Sequence, residues 1–289
     1  MSTLWQNIQY KMLHSGSKLN LLIGINIIAF LLVNVTDTLG KFLFNSDIIG
    51  FYSDKYLLLS AYLPKLLTNF WTPVTYMFMH AGVFHILFNM LWLYWFGQIF
   101  EEYLGKKRTL GLYLMGGLAG AFLFVVCYNT LPYFTHSAAA LGPPLVGASA
   151  SVTAIIIATA TLLPDYTISL ILIGPVKLKW LALFFIVIDF LGIVGPNAGG
   201  EIAHLGGALI GFVYIKQLQK GHDWIAAIAN VFKPRPKLKV VSKNSSGKSG
   251  GKPRQEEIDL ILDKISQSGY DSLSKQEKEI LFRASNNEG

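Results

Sequence analysis

Six stretches of the chain are apolar for long enough to suggest membrane-crossing helices, which need roughly 17–25 such residues. They are 19–35, 83–100, 110–128, 146–163, 178–194 and 202–218. Residues 36–82, between the first two, hold broken apolar runs such as YLLLSAYLPKLL and FWTPVTYMFM. These are too interrupted to span and predict short interfacial helices anchored by Tyr62, Trp71 and Tyr76. From about Lys233 the pattern turns polar. KPRPKLKVVSKNSSGKSGGKPR reads as a disordered basic linker, 233–254. The segment 255–289 predicts two short helices: Ile258, Ile261, Leu262 and Ile265 form an apolar stripe, and Ser274 with Glu277 makes a capping box. The expected organisation is a cytoplasmic N-terminal segment (1–18), a six-helix membrane domain (19–220), the linker, and a small helical cytoplasmic module that docks a partner. The expected fold class is an all-α membrane protein.

Composition agrees with this pattern. Hydrophobic residues make up 52% and charged residues 14%, with mean hydropathy +0.45; soluble chains carry about 25% charge. The net charge of +7 is informative by position. The basic linker suits an anionic inner leaflet, and no nucleic-acid partner is expected. Cys127 is the sole cysteine, which excludes an intrachain disulfide and any multi-cysteine metal site. The first 18 residues show no cleavable signal pattern. Lys11, Lys18, Lys106, Lys107, Arg108, Lys177, Lys179, Lys216 and Lys220 mark the inner ends of the spans. Both termini are then cytoplasmic, and spans two, four and six run inward. Their starts share one depth, and they carry His85 and Asn89, then Ser149, then His204.

The fourth span opens with LVGASASVTAIII. Small residues there also serve close helix packing, and Ala150, Ala154 and Ala158 form such a ridge. Three features point to chemistry as well. The span is short, at about 25 Å of a roughly 30 Å core. LGPPLVGAS puts irregular backbone at membrane depth, which needs a cavity or surrounding protein. A helix start also offers free N–H groups to an oxyanion. Ser149 lies nearest that start; Ser151, about 200° around the helix, faces a neighbour or back-bonds. A serine nucleophile needs a base, and His204 is an ionisable residue within a span. His204, Gly207 and Gly211 share a face, and the two glycines form a GxxxG pair that admits the small ridge of span four. His85 and Asn89, one turn apart, can donate to an oxyanion; alone, they would read as an interhelical hydrogen-bond pair. His80 reads as structural, fixing the loop where it meets span two. Glu201, His204, His80 and His85 make a poor metal set, lacking H-E-x-x-H and a second carboxylate cluster. No metal is expected.

HAGVFHILFNMLWLYWFG on span two, GAS on span four and AHLGGALIG on span six, in this order over about 72–218, together resemble the rhomboid family of intramembrane serine proteases. The resemblance implies a six-helix core with a membrane-embedded first loop and a Ser–His dyad without an aspartate. It implies Ser149 as nucleophile, His204 as general base, and His85, Asn89 and the Ser149 N–H as oxyanion donors, with Gly147 shaping the turn. Glu101 falls on a structural acidic position, and GIVGPNAGGE resembles a cap loop. It implies no cofactor, transmembrane protein substrates in the lipid bilayer, and a bacterial plasma membrane. Two positions depart from the family pattern: Ala150 replaces a glycine and is expected to add bulk where substrate approaches, and Thr153 replaces an aromatic that packs on the histidine, so the imidazole loses that support or gains a hydrogen-bond partner. A non-proteolytic membrane chaperone or binding protein on the same scaffold is the alternative. A small transporter is a third reading, without a visible inverted repeat.

Overall fold

The computed structural model describes residues 16–135, 144–170, 173–231 and 255–285. The basic linker, residues 1–15 with Lys11, and residues 136–143 of the loop before span four lie outside them. The chain divides into two units, 1–233 and 234–289.

In the first unit α1 (Lys18–Phe44) is capped twice. The Ser17 hydroxyl accepts from the Asn20 amide at 3.2 Å, and Glu101 accepts from the Leu19 amide at 2.9 Å. This is the structural work of Glu101. The helix runs nine residues past the expected end at 35. The first loop contains α2 (Ile48–Tyr56), α3 (Leu63–Thr68) and α4 (Thr72–Thr75), then a 3₁₀ turn, Tyr76–Phe78. The Trp71 indole donates to the Tyr56 carbonyl at 2.7 Å. Helix α5 (Val83–Leu104) is followed at once by α6 (Lys106–Thr130) and the short α7 (Pro132–Thr135). Helix α8 (Ser149–Leu162), a hairpin of β1 (Thr167–Leu170) and β2 (Gly174–Lys177), α9 (Leu178–Gly192), α10 (Ala198–Gln219) and α11 (Trp224–Val231) complete the unit.

The antiparallel hairpin, with Thr167 opposite Lys177, corrects the all-α expectation. Its four-residue strands look like a connection beside the apolar run that follows. Among the described residues four helices, α1, α5, α6 and α10, are long and apolar enough to cross a membrane. Helices α8 and α9 occupy the expected fourth and fifth spans but have only 14 and 15 residues. Helix α10 begins four residues before the expected start at 202, inside the stretch read as a cap loop.

Helix α8 is the centre of the unit. Every residue from Ala150 to Ala160 is buried. It packs chiefly on α10 and α6, with α5 on a third side. A side chain at Gly207 or Gly211 would collide with the carbonyl oxygens of Ala150 and Ala154, and one at Gly116 with the Ala154 methyl. The backbones therefore touch, as small-residue membrane interfaces allow. Large apolar side chains such as Leu32, Phe84, Phe122, Phe184 and Leu209 point outward, the surface of an integral membrane protein.

The second unit comprises α12 (Gln255–Ser268), a 3₁₀ turn and α13 (Lys275–Ser285), with Ile261 and Leu273 buried.

Candidate active site

The irregular backbone before α8 is held on both sides. Leu145 and Leu59 exchange two backbone hydrogen bonds, at 2.7 and 3.1 Å, and the Gly147 amide donates to the Tyr76 carbonyl at 3.0 Å. Tyr76 is itself fixed, its hydroxyl donating to the Gly117 carbonyl at 2.6 Å. Non-helical polar groups at this depth are thus satisfied within protein. Gly147 has φ +124°, and the Cβ of any other residue there would lie 2.8 Å from Cε1 and Nε2 of His85. The glycine turns the chain and lets the imidazole approach the start of α8. The same point is 3.6 Å from Ser149 Oγ.

A cavity of about 620 Å³ opens beside this turn. Ser149, His204, His85, Asn89 and Thr153 all line it, with Asp189, Asn197 and Glu201, among apolar walls that include Phe84, Phe88, Trp92 and Phe185. Ser149, the first residue of α8, is partly exposed to it, whereas Ser151 is fully buried with its hydroxyl unpartnered. Ser151 therefore faces its neighbour α6 beside Gly116 and does not back-bond.

Each polar group has a definable donor state. His85 Nδ1 accepts from the Ala81 amide at 3.4 Å, a long bond that assigns the ring hydrogen to Nε2, the nitrogen beside Gly147. Asn89 donates one amide hydrogen to the His85 carbonyl at 2.8 Å; the second is left for the cavity. His204 Nδ1 lies 2.9 Å from Asp189 Oδ1 and 3.5 Å from Glu201 Oε2. A carboxylate has no hydrogen to give, so Nδ1 carries one, and in the neutral ring Nε2 keeps its lone pair. Among the described residues no hydrogen bond joins Ser149 to His204.

Several expectations change here. His80 is buried, and among the described residues neither ring nitrogen meets a well-aligned hydrogen-bond partner; it packs edge-on against His85, with centroids 5.2 Å apart. It also lines a separate cavity with Asp37 and Asp54. Thr153 makes no hydrogen bond to His204. Ala150 does not line the cavity: its methyl faces Gly120 and its carbonyl faces Gly207. A histidine without an aspartate was expected; Asp189 of α9 is there instead. It also stands as a second carboxylate beside Glu201. Asp189, Glu201 and His204 place possible ligand atoms within 4.8 Å of one another, a spacing that could hold a metal ion. Their present contacts already satisfy them: Asp189 accepts from His204, and Glu201 accepts from Asn197 at 3.0 Å. Asp189 was legible only as one charge inside the apolar run FFIVIDFLG, a default sign of function.

The family model for the Rhomboid domain matches residues 67–220. A second, a family of unknown function (DUF6576), matches 251–287. Presenilin-associated rhomboid-like protein A, mitochondrial, of Danio rerio is 33% identical over 155 residues, 51% of this chain and 37% of that protein. RHOMBOID-like protein 12, mitochondrial, of Arabidopsis thaliana is 32% identical over 157 residues, 52% of this chain and 47% of its own length. Presenilin-associated rhomboid-like protein, mitochondrial, of Bos taurus is 29% identical over 189 residues, 60% of this chain and 44% of that protein. The chain thus spans less than half the length of these relatives.

Proposed function

Because this chain belongs to the rhomboid family, we propose that it is an intramembrane serine endopeptidase that cuts transmembrane segments of other membrane proteins. In this reading His204 Nε2 takes the Ser149 proton as Oγ attacks the scissile carbonyl carbon. The oxyanion is met by His85 Nε2–H, the free Asn89 amide hydrogen and the unpaired Ser149 N–H at the helix start. The His204 imidazolium then protonates the leaving nitrogen, the C–N bond breaks, and water activated by His204 releases the acyl group from Ser149. One observation supports the reading: the side chains of Ser149, His85 and Asn89, and of a His204 paired through Nδ1 with a carboxylate, line one cavity. Catalytic hydrogen bonds often tighten only when substrate binds, so an unjoined Ser149 and His204 are compatible with it.

The same gap favours the second reading, a non-proteolytic membrane chaperone or binding protein. A fluorophosphonate probe separates the two. Labelling of native protein at Ser149, with cleavage of a reconstituted membrane-anchored substrate that Ser149→Ala lacks, is expected for the protease. Unlabelled native protein, or an alanine variant that cuts equally well, rejects it.

The proposed topology counts α1, α5, α6, α8, α9 and α10 as six spans with both termini cytoplasmic, supported by Lys106–Arg108, Lys216 and Lys220 at one set of helix ends. The proposed domain organisation keeps the membrane domain at 19–220 and reads 255–289 as a docking module for a cytoplasmic partner, supported by the exposed Leu260, Leu262 and Phe282. The bacterial plasma membrane rested on the resemblance and on the short termini. The relatives matched are named mitochondrial, which speaks against carrying that expectation forward.

A further inference from the structure

Helix α9 is apolar and outward-facing around Asp189. Val187, Ile188, Phe190 and Leu191 are all exposed, while Asp189 itself is only 6% exposed. A carboxylate in such a segment is costly and persists where a partner compensates it. The partner here is His204 Nδ1, 2.9 Å away. Glu201 stands farther off, at 3.5 Å, and is tied to Asn197.

We propose that Asp189 is a positioning residue for His204, the third member of a Ser149–His204–Asp189 relay carried on three helices. It accepts the Nδ1 hydrogen, locks the tautomer that presents Nε2 to Ser149, and stabilises the imidazolium formed during attack. The assignment rests on the protease reading. It goes beyond that reading because a serine and histidine alone would suffice for the chemistry. The support that Thr153 does not give the imidazole comes from this carboxylate. A purely structural role, pinning α9 to α10, would show in stability or substrate binding and leave the chemical step intact.

The test compares full-length native protein, Asp189→Asn and Ser149→Ala in detergent or liposomes. It measures kcat and KM on a membrane-anchored substrate, the rate of fluorophosphonate labelling at Ser149, and thermal unfolding. Asparagine keeps the shape and removes the charge. A fall in kcat of about a hundredfold, a parallel slowing of labelling, and an unchanged KM and unfolding midpoint are expected. A native kcat in the asparagine variant overturns the assignment. So does a loss confined to KM or to stability while labelling keeps its rate. Asp189→Glu retains the charge and serves where the amide variant does not fold: a kcat within about tenfold of native is expected, and a loss as deep as that of Ser149→Ala overturns the assignment. Native protein that neither cuts nor labels removes the protease reading and this assignment with it. Native protein that labels no faster than Asp189→Asn removes the assignment alone.

Discussion

At φ +124° Gly147 occupies backbone space that other residues rarely adopt, and a Cβ there would sit 2.8 Å from the His85 ring. Holding such a conformation with a side chain costs about 1–3 kcal/mol. Relief by moving His85 would turn its Nε2–H away from the start of α8. Gly147→Ala is therefore expected to slow fluorophosphonate labelling of Ser149 at least about tenfold, with some loss of stability; labelling at the native rate would show that this turn does not aim the donors. Residue identity and span order made Ser149, His85, Asn89 and His204 legible as one constellation, and the family resemblance added Gly147. Asp189 was not legible in that way. Its contact spans fifteen positions of sequence and arises where α9 crosses α10, and a single aspartate in an apolar run has no spacing to betray its partner. Ala150 shows the opposite error. Sequence named the substitution, but only packing shows that its methyl faces Gly120 of α6.

Helices α6 and α10 meet α8 closely because their facing positions, Gly116, Gly120, Gly207 and Gly211, lack side chains. A methyl at Gly207 would strike the Ala150 carbonyl, a backbone atom of a fully buried helix that cannot step aside. Gly207→Ala should destabilise the membrane domain by about 1–3 kcal/mol, read as a lower midpoint of denaturant unfolding in mixed micelles. Gly82→Ala is the control: its backbone is extended, at φ −177°, and nothing lies within 4 Å of the added carbon. A change within about 0.5 kcal/mol is expected there. Equal effects at the two sites would refute contact between α8 and α10 as the cause. The GxxxG spacing and the Ala150–Ala154–Ala158 ridge announced this interface, since each recurs every four residues on one helical face. The β1–β2 hairpin announced nothing comparable, for four-residue strands offer too short a period to stand out beside a longer apolar run. Helix ends were equally poor signals: α1 continues to Phe44 because its apolar pattern fades gradually, and Asn45, at φ +48°, is what stops it.

At the scale of the whole molecule, the two units rest on different physics. The membrane unit buries small residues and turns large apolar ones outward, whereas the C-terminal helices have little core beyond Ile261 and Leu273 and depend more on local polar contacts. The capping box written in their sequence forms: the Ser274 amide donates to Glu277 Oε2 at 2.7 Å, and the Glu277 amide donates to Ser274 Oγ at 3.3 Å. Lys264 of α12 adds an ion pair to the same carboxylate at 2.9 Å, a tertiary link that no local pattern predicts. The Ser274 amide first, then Lys264, hold the Glu277 carboxyl down at about 2, from an ordinary 4.5. Because the folded value lies below the unfolded one, the stabilisation is complete above about pH 4.5 and drains away as the pH falls toward 2. In the full-length protein in micelles, the Ser274 amide resonance should titrate with a midpoint near 2 and move little between pH 7 and 5. A midpoint at the ordinary glutamate value would mean the box and the ion pair are not formed in solution. Glu277→Gln, which keeps one acceptor but neither charge nor pairing, should abolish the titration and fray the first turn of α13. That outcome would place the stability of this unit in a single carboxylate that bridges both of its helices.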